Sequence, residues 1–122
     1  VIVNGRNAAR VEAAEKQLRA DVAGANVSGV AADLATAQGV DQFGAQVDAA
    51  DILVNNLGIF EPKPFLEIPD SDWLRFFEAN VLSGVRMSRI YLPGMLAKNW
   101  GRVVFISSES ALNTPPKWSI TA

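Results

Sequence analysis

The chain has 122 residues, enough for one domain, and its 49% hydrophobic and 20% charged content is that of an ordinary globular protein. Eleven Lys and Arg against thirteen Asp and Glu give a formal charge of -2, which offers no electrostatic footprint for nucleic acid or an anionic membrane. Cysteine and histidine are both absent, so disulfides, thiolate nucleophiles, imidazole bases and Cys- or His-bound metals are excluded, and acid–base chemistry falls to Tyr, Lys, Asp or Glu. No apolar run approaches the roughly 18 residues of a membrane span, and the start lacks the layout of a signal peptide; the default expectation is a cytoplasmic setting. Val1 lies inside what reads as a strand, so a further N-terminal piece is expected.

In chain order, Val1-Ile2-Val3 is a short β-branched run stopped by Asn4-Gly5, the pattern of a buried strand. Asn7 is a plausible N-cap for a helix from Ala8 to Ala23, with Val11, Ala14, Leu18 and Val22 on one face and Gly24 as its stop. Asn26 to Ala32 alternates as a second strand, Thr36 caps a short helix through Val47, and Asp51 to Asn55 is the clearest buried strand. Gly58 to Asp70 carries Pro62, Pro64 and Pro69 and is expected to be an ordered loop or a broken turn. A long helix is predicted from Ser71 to Ala97, kinked by Pro93, with Trp73, Phe76 and Phe77 in the core. Arg102 to Ile106 is the last strand, delivering Ser107 and Ser108 at its end. Strands alternating with helices imply parallel pairing through crossovers, hence a doubly wound α/β sheet.

In such sheets ligands bind outside the carboxyl ends of the strands, so the residues that follow each strand carry the functional reading. Asn4-Gly5-Arg6-Asn7 pairs a close backbone approach at Gly5 with a guanidinium suited to phosphate; the alternative is a turn and a solvated arginine. Asp33, before Leu34, either accepts from a ligand or caps its turn. Asn55-Asn56-Leu57-Gly58 offers amides that tie strands or hold a ribose, or else a plain Asn-rich turn. Ser107 and Ser108 polarise a carbonyl oxygen or satisfy backbone groups. Asn80 is a poor helix former inside a helix, so it is either exposed or kept for a hydrogen bond.

Taken together and in this order, Asn4-Gly5-Arg6, Asp33, Asn55-Asn56-Leu57-Gly58, Asn80 and Gly101 to Ser108 resemble the short-chain dehydrogenase/reductase family, with the match running from Val1 to about Pro116. The resemblance implies a Rossmann-type sheet and hydride transfer between a nicotinamide cofactor and an alcohol or carbonyl. It implies cofactor contacts at Gly5, Arg6, Asp33, Leu34, Asn55, Leu57 and Gly58, where Leu57 departs from the usual alanine. Gly5 stands where NAD-preferring members carry an acid and Arg6 where NADP-preferring members carry a base, so NADP is expected, with NAD possible. Asn80 resembles the helix asparagine that holds a water in the proton relay, and Ser108 the serine that hydrogen-bonds the reacting oxygen; no metal is expected. Family members are usually homodimers or homotetramers packed through the helix equivalent to Ser71–Ala97.

Two family features have no counterpart. The acid–base tyrosine, followed four residues later by a lysine, falls about thirteen residues beyond the serine; here that place is Thr121, and the only tyrosine, Tyr91, is in the long helix. Shifted by one base, the codons of Lys117 to Ala122 permit tyrosine at position 121, so a frameshift is one expectation for this tail. No Gly-x-x-x-Gly-x-Gly segment for the pyrophosphate occurs. In the order 3-2-1-4-5-6 the first strand would lie between those beginning at Val1 and Asp51, so the sheet is expected to be incomplete, as two half-sheets with open edges about 10 Å apart. A truncated oxidoreductase, poorly folded and inactive alone, is the leading expectation. A non-catalytic binding or interaction protein on the same scaffold is the alternative; a receiver-like module would need clustered acids at strand ends, where only Asp33 stands.

Overall fold

The computed structural model describes residues 1–109. Its elements alternate as expected, and the chain divides into two compact units, residues 1–48 and residues 49 onward. In the first, β1 (Ile2–Gly5) pairs in parallel with β2 (Ser28–Ala31), Ile2 opposite Ser28 and Gly5 opposite Ala31. Helix α1 (Ala8–Asp21) connects them, capped by Asn7, whose side-chain oxygen accepts the Arg10 N–H at 3.1 Å. A turn from Val22 to Ala25 ends the crossover with Gly24 at φ +77°, a conformation that costs a residue with a Cβ. Helix α2 (Ala37–Gly44) follows, with the Thr36 hydroxyl accepting the Gly39 N–H at 3.0 Å.

The face expected for α1 is mostly not a core face. Val11 is buried, but Ala14 is exposed, Leu18 half-buried and Val22 56% exposed. The helix meets its two strands at one groove: a Cβ on Gly29 would stand 2.3 Å from a Val11 methyl, and one on Gly5 would stand 3.1 Å from the other. Val11 fills the space those glycines leave, and the core continues through Val27, Val30, Leu34, Val40 and Phe43.

In the second unit β3 (Ile52–Asn55) pairs in parallel with β4 (Arg102–Phe105), Asn55 opposite Phe105. The proline-rich segment between them is an ordered loop with a single 3-10 turn, Phe65–Glu67. The long helix starts at Asp70 and is not uniform: α3 (Asp70–Phe77) gives way to a π-turn (Glu78–Leu82) and then to α4 (Ser83–Ala97), which runs through Pro93. Asn99 at φ +53° ends it, with its own N–H on the Leu96 carbonyl and the Trp100 N–H on the Met95 carbonyl, both at 3.0 Å, a Schellman closure with asparagine in place of glycine.

Of the three aromatics expected in the core only Phe76 is buried; Trp73 and Phe77 are 42% and 52% exposed. The buried row is Phe76, Ala79, Ser83, Met87, Tyr91 and Met95, and Trp73 and Phe77 lie to one side of it. Each sheet has two strands among the described residues, in keeping with the expected half-sheets. The fold class is α/β with parallel strands and crossover helices.

Candidate functional site

In the first unit the carboxyl ends of β1 and β2 lie side by side, since Gly5 is opposite Ala31 and the Ala32 N–H bonds the Gly5 carbonyl at 3.1 Å. Asn4 fastens this edge: its side-chain amide donates to the carbonyls of Val30 at 3.0 Å and Ala32 at 3.1 Å. Gly5, Arg6 and Asp33 therefore share one edge. Arg6 is exposed beside the start of α1, where unpaired N–H groups and the helix dipole favour an anion. Asp33 does cap its own turn: its carboxylate accepts the Ala35 N–H at 3.2 Å, while its carbonyl accepts the Thr36 N–H and hydroxyl at 3.1 and 3.0 Å. The Leu34 side chain is buried, leaving only its backbone to face a ligand. Gly39 lets α2 approach, since a Cβ there would stand 2.0 Å from the Asp33 carbonyl oxygen.

In the second unit the segments after β3 and β4 also leave from one edge, the Ile106 N–H bonding the Asn55 carbonyl at 3.0 Å. Gly58 and Ser108 each lie three residues beyond the last strand pair, Asn55 and Phe105. Asn80, on the π-turn, clamps the loop: its side-chain oxygen accepts the Ile59 N–H at 2.7 Å and its amide donates to the Ile59 carbonyl at 3.2 Å. A Cβ on Gly58 would make only ordinary contact with that oxygen, at 3.5 Å. Asn80 is thus kept for hydrogen bonds, and its side chain serves the loop. Asn55 presents the opposite case: its side-chain nitrogen is buried with no hydrogen-bond partner among the described residues, a donor lacking an acceptor. Leu57 is half-buried and Ser108 exposed.

A second set of contacts on this loop was not read from the sequence. Glu61, Lys63, Asp72 and Arg75 form a closed ring of alternating charge: Lys63–Glu61 at 2.9 Å, Lys63–Asp72 at 2.6 Å, Arg75–Glu61 at 2.6 Å and Arg75–Asp72 at 3.7 Å. The Lys63 ammonium and then Arg75 hold the Glu61 carboxyl below its ordinary range. Asp72, and then Glu61, holds the Lys63 ammonium above its own. The only local signal was opposite charges two residues apart in the loop and three apart on α3.

Chemically, the second edge supplies the Ser108 hydroxyl, the Asn55 side-chain nitrogen and a loop fixed by Asn80. Ser108 can donate to an oxygen that gains charge, but it is too weak an acid to supply the proton. Tyr91 cannot stand in: it is buried on α4, eleven residues beyond Asn80, or about 16 Å along the axis toward the opposite edge. Thr121 lies outside the described residues. Among the described residues no group of three or more acids could hold a metal ion, and no helix is long and apolar enough to cross a membrane.

The sequence model described as short chain dehydrogenase matches residues 1–120. An uncharacterized oxidoreductase of Bacillus subtilis, YvaG, is 46% identical over 112 residues, which cover 92% of this chain and 42% of that protein. D-beta-hydroxybutyrate dehydrogenase of Cupriavidus necator is 34% identical over 116 residues, 92% of this chain and 44% of the enzyme. Among solved structures, L-sorbose reductase from Gluconobacter frateurii, crystallised with NADPH and L-sorbose, superposes with a TM-score of 0.86 at 30% identity, over 96% of this chain and 46% of that one. The chain thus spans less than half the length of these relatives.

Proposed function

Since this chain belongs to the short-chain dehydrogenase/reductase family of oxidoreductases, we propose that it is a partial NAD(P)-binding domain, residues 1–122, of an enzyme that interconverts a small alcohol and its carbonyl compound. The observation that carries this reading is the common strand edge from which Asn55, Leu57, Gly58 and Ser108 leave, with Asn80 clamping the loop at Ile59. NADP is the cofactor of choice. Arg6 is the group to pair with its 2′-phosphate, Gly5 lets the backbone approach, and Asp33 and the Leu34 backbone flank the adenine. Asn55 and the Leu57–Gly58 backbone serve the ribose, and the unpartnered Asn55 amide nitrogen fits a ligand oxygen there. When bound, the nicotinamide supplies or receives the hydride.

Ser108 donates its hydroxyl proton as a hydrogen bond to the substrate oxygen, stabilising the charge that develops there. Asn80 holds the Ile59 backbone with its side chain and takes the place of the helix asparagine that holds a water in the family's proton relay. Thr121 occupies the place where the family has its tyrosine, so this chain by itself is expected to bind NADPH with little or no turnover, loss of acid–base catalysis costing about 10²- to 10⁴-fold. That substitution also favours a second reading, a scaffold that binds without catalysing. We place the intact protein in the cytoplasm as a homodimer or homotetramer, with the exposed row Trp73, Phe77 and Val81 at the subunit contact.

Fluorescence titration of the chain with NADPH and NADH tests the cofactor assignment. NADPH is expected to bind more tightly, and Arg6→Glu to lower its affinity by about tenfold or more, the worth of one charge-assisted phosphate contact. Equal affinities that do not respond to Arg6→Glu would remove the case for NADP. Steady NADPH oxidation with a carbonyl substrate would remove the case for an inactive chain.

A further inference from the structure

A cleft of about 400 Å³ opens at the amino end of β4, opposite the end from which Ser107 and Ser108 leave. Leu92, Met95 and Leu96 of α4 line it with Trp100 and Val103, and Arg102 is its charged member. That volume lies in the range of small-molecule sites, which join an apolar lining to a few fixed polar groups. Leu92, Leu96 and Trp100 follow one another at four-residue spacing, and each is at least 42% exposed, so they form an apolar strip open to solvent. The frame around the strip is fixed. The carbonyls of Gly94, Met95 and Leu96 accept the N–H groups of Lys98, Trp100 and Asn99 at 3.2, 3.0 and 3.0 Å, so these carbonyls of the helix end are not left bare before an incoming anion. A Cβ on Gly101 would stand 2.4 Å from the Met95 side chain; glycine there lets the backbone lie directly against the floor of the cleft. Arg102 is held too: its backbone N–H bonds the Asp51 carbonyl at 3.0 Å, one guanidinium nitrogen donates to the Gly101 carbonyl at 2.7 Å, and the guanidinium lies 5.6 Å from the centre of the Trp100 ring. The Asp51 carboxylate is paired with Lys98 at 2.9 Å, and Arg102 makes no ion pair among the described residues. A guanidinium carries several N–H donors, so one internal bond leaves others for an anion.

We propose that this cleft is a second ligand site, taking an amphipathic monoanion: an unbranched alkyl chain lies along Leu92, Leu96 and Trp100 and its carboxylate meets Arg102. The site is separate from the edge that carries Ser108 and stands independently of the oxidoreductase reading. Charge complementarity decides the occupant. A small polar anion would leave the strip uncovered, and a neutral hydrocarbon would leave the guanidinium without a charge-assisted hydrogen bond, which is roughly twice as strong as a neutral one. Length decides the shape: Leu92 to Leu96 is about 6 Å along the helix axis, and Trp100 carries the strip on to the guanidinium it touches.

The test is protein-observed amide NMR of the chain titrated with octanoate, with octanol as the neutral probe and butanoate as the short one. Octanoate is expected to shift the Trp100 indole and the amides of residues 98–103, and to bind about tenfold more tightly than octanol, the worth of one charge-assisted bond. Each methylene removed on the way to butanoate should weaken binding by up to about fourfold. Arg102→Gln should abolish the advantage over octanol and Arg102→Lys keep part of it, while Leu96→Asn, at an exposed position, should weaken octanoate and octanol alike; unchanged amide shifts remote from the cleft show that each variant is folded. No saturable shift at residues 98–103 overturns the site. Octanoate and octanol bound equally, or octanoate binding indifferent to Arg102→Gln, reduces the cleft to an apolar patch and overturns the anion assignment. Octanoate binding that weakens as the protein concentration rises gives the cleft to a second copy of the chain and overturns it as well. Octanoate binding that saturating NADPH leaves unaltered upholds a second site, and displacement by NADPH overturns it.

Discussion

Three asparagines at strand or helix positions do three different jobs. Asn4 spends its amide on two carbonyls of the neighbouring strand, Asn80 spends both side-chain groups on the Ile59 backbone, and Asn55 keeps a buried nitrogen without a partner among the described residues. Asn80→Ala would leave a backbone donor and acceptor in a half-buried place, and is expected to cost about 2 kcal/mol, read as a lower urea midpoint. Asn55→Ala should behave oppositely: removing an unsatisfied donor costs the free chain little or stabilises it slightly, while weakening NADPH binding in the same titration. A large stability loss for Asn55→Ala would mean that this amide has a protein partner and no vacant acceptor position. That Asn80 had a hydrogen-bonding purpose was legible, because asparagine is a poor choice inside a helix. Which of Asn4 and Asn55 ties strands was not, because the answer depends on the carbonyls a neighbouring strand brings alongside.

At the scale of elements, the π-turn explains how one long helix keeps a single buried row. Each α-helical residue turns the chain by about 100°, so from Phe76 to Met95 an uninterrupted α-helix would carry the row about a quarter-turn off the sheet. The extra residue taken up by Glu78–Leu82 cancels that drift and keeps Ala79, Met87 and Tyr91 inward. Hydrophobic periodicity assumes a constant 3.6-residue turn, which is why Trp73 and Phe77 were expected inside.

Glycines separate the contacts that position helices from those that do not. Gly39→Ala would drive a Cβ against the Asp33 backbone, with an expected loss of about 2 kcal/mol. Gly94→Ala has open space and should gain about 0.5–1 kcal/mol from helix propensity. Thermal melts of the two variants should therefore move in opposite directions. The ionic ring has its own signature. Glu61 titrates below its ordinary range, so its contribution is present above that range and lost as pH falls through the lowered value; Lys63 titrates above its ordinary range, so its contribution holds below that range and is lost only as pH rises through the raised value. Amide protection factors across Phe60–Glu67 are expected to stay level between about pH 5 and about pH 9 and to fall in high salt, which screens surface pairs. A transition near neutral pH would contradict the assignment.

At the scale of the whole molecule, no large side chain among the described residues is completely enclosed, and each sheet has two strands there. Strands of parallel sheets normally have both faces covered, yet Ile52 and Val54 on β3 are more than half exposed. With a formal charge of only -2, little repulsion opposes association. The chain is expected to self-associate as its concentration rises, and Val54→Lys, a charge on the open strand, to suppress this in light scattering. Scattering that is flat with concentration, or unchanged by Val54→Lys, would place the association surface elsewhere or dispense with it.

The sequence by itself determined the alternation of strands and helices, the caps at Asn7 and Thr36, the strand-end positions of Gly5, Asp33, Gly58 and Ser108, and with them the family. All of these depend on local propensity and on the order of residues along one chain, which spacing records directly. Only the tertiary structure decided that Leu34 is core, that Asn80 clamps Ile59 and that Glu61, Lys63, Asp72 and Arg75 close a ring of charges. Each of these depends on which groups from distant parts of the chain arrive within about 3 Å of one another, and residue spacing carries no record of that distance.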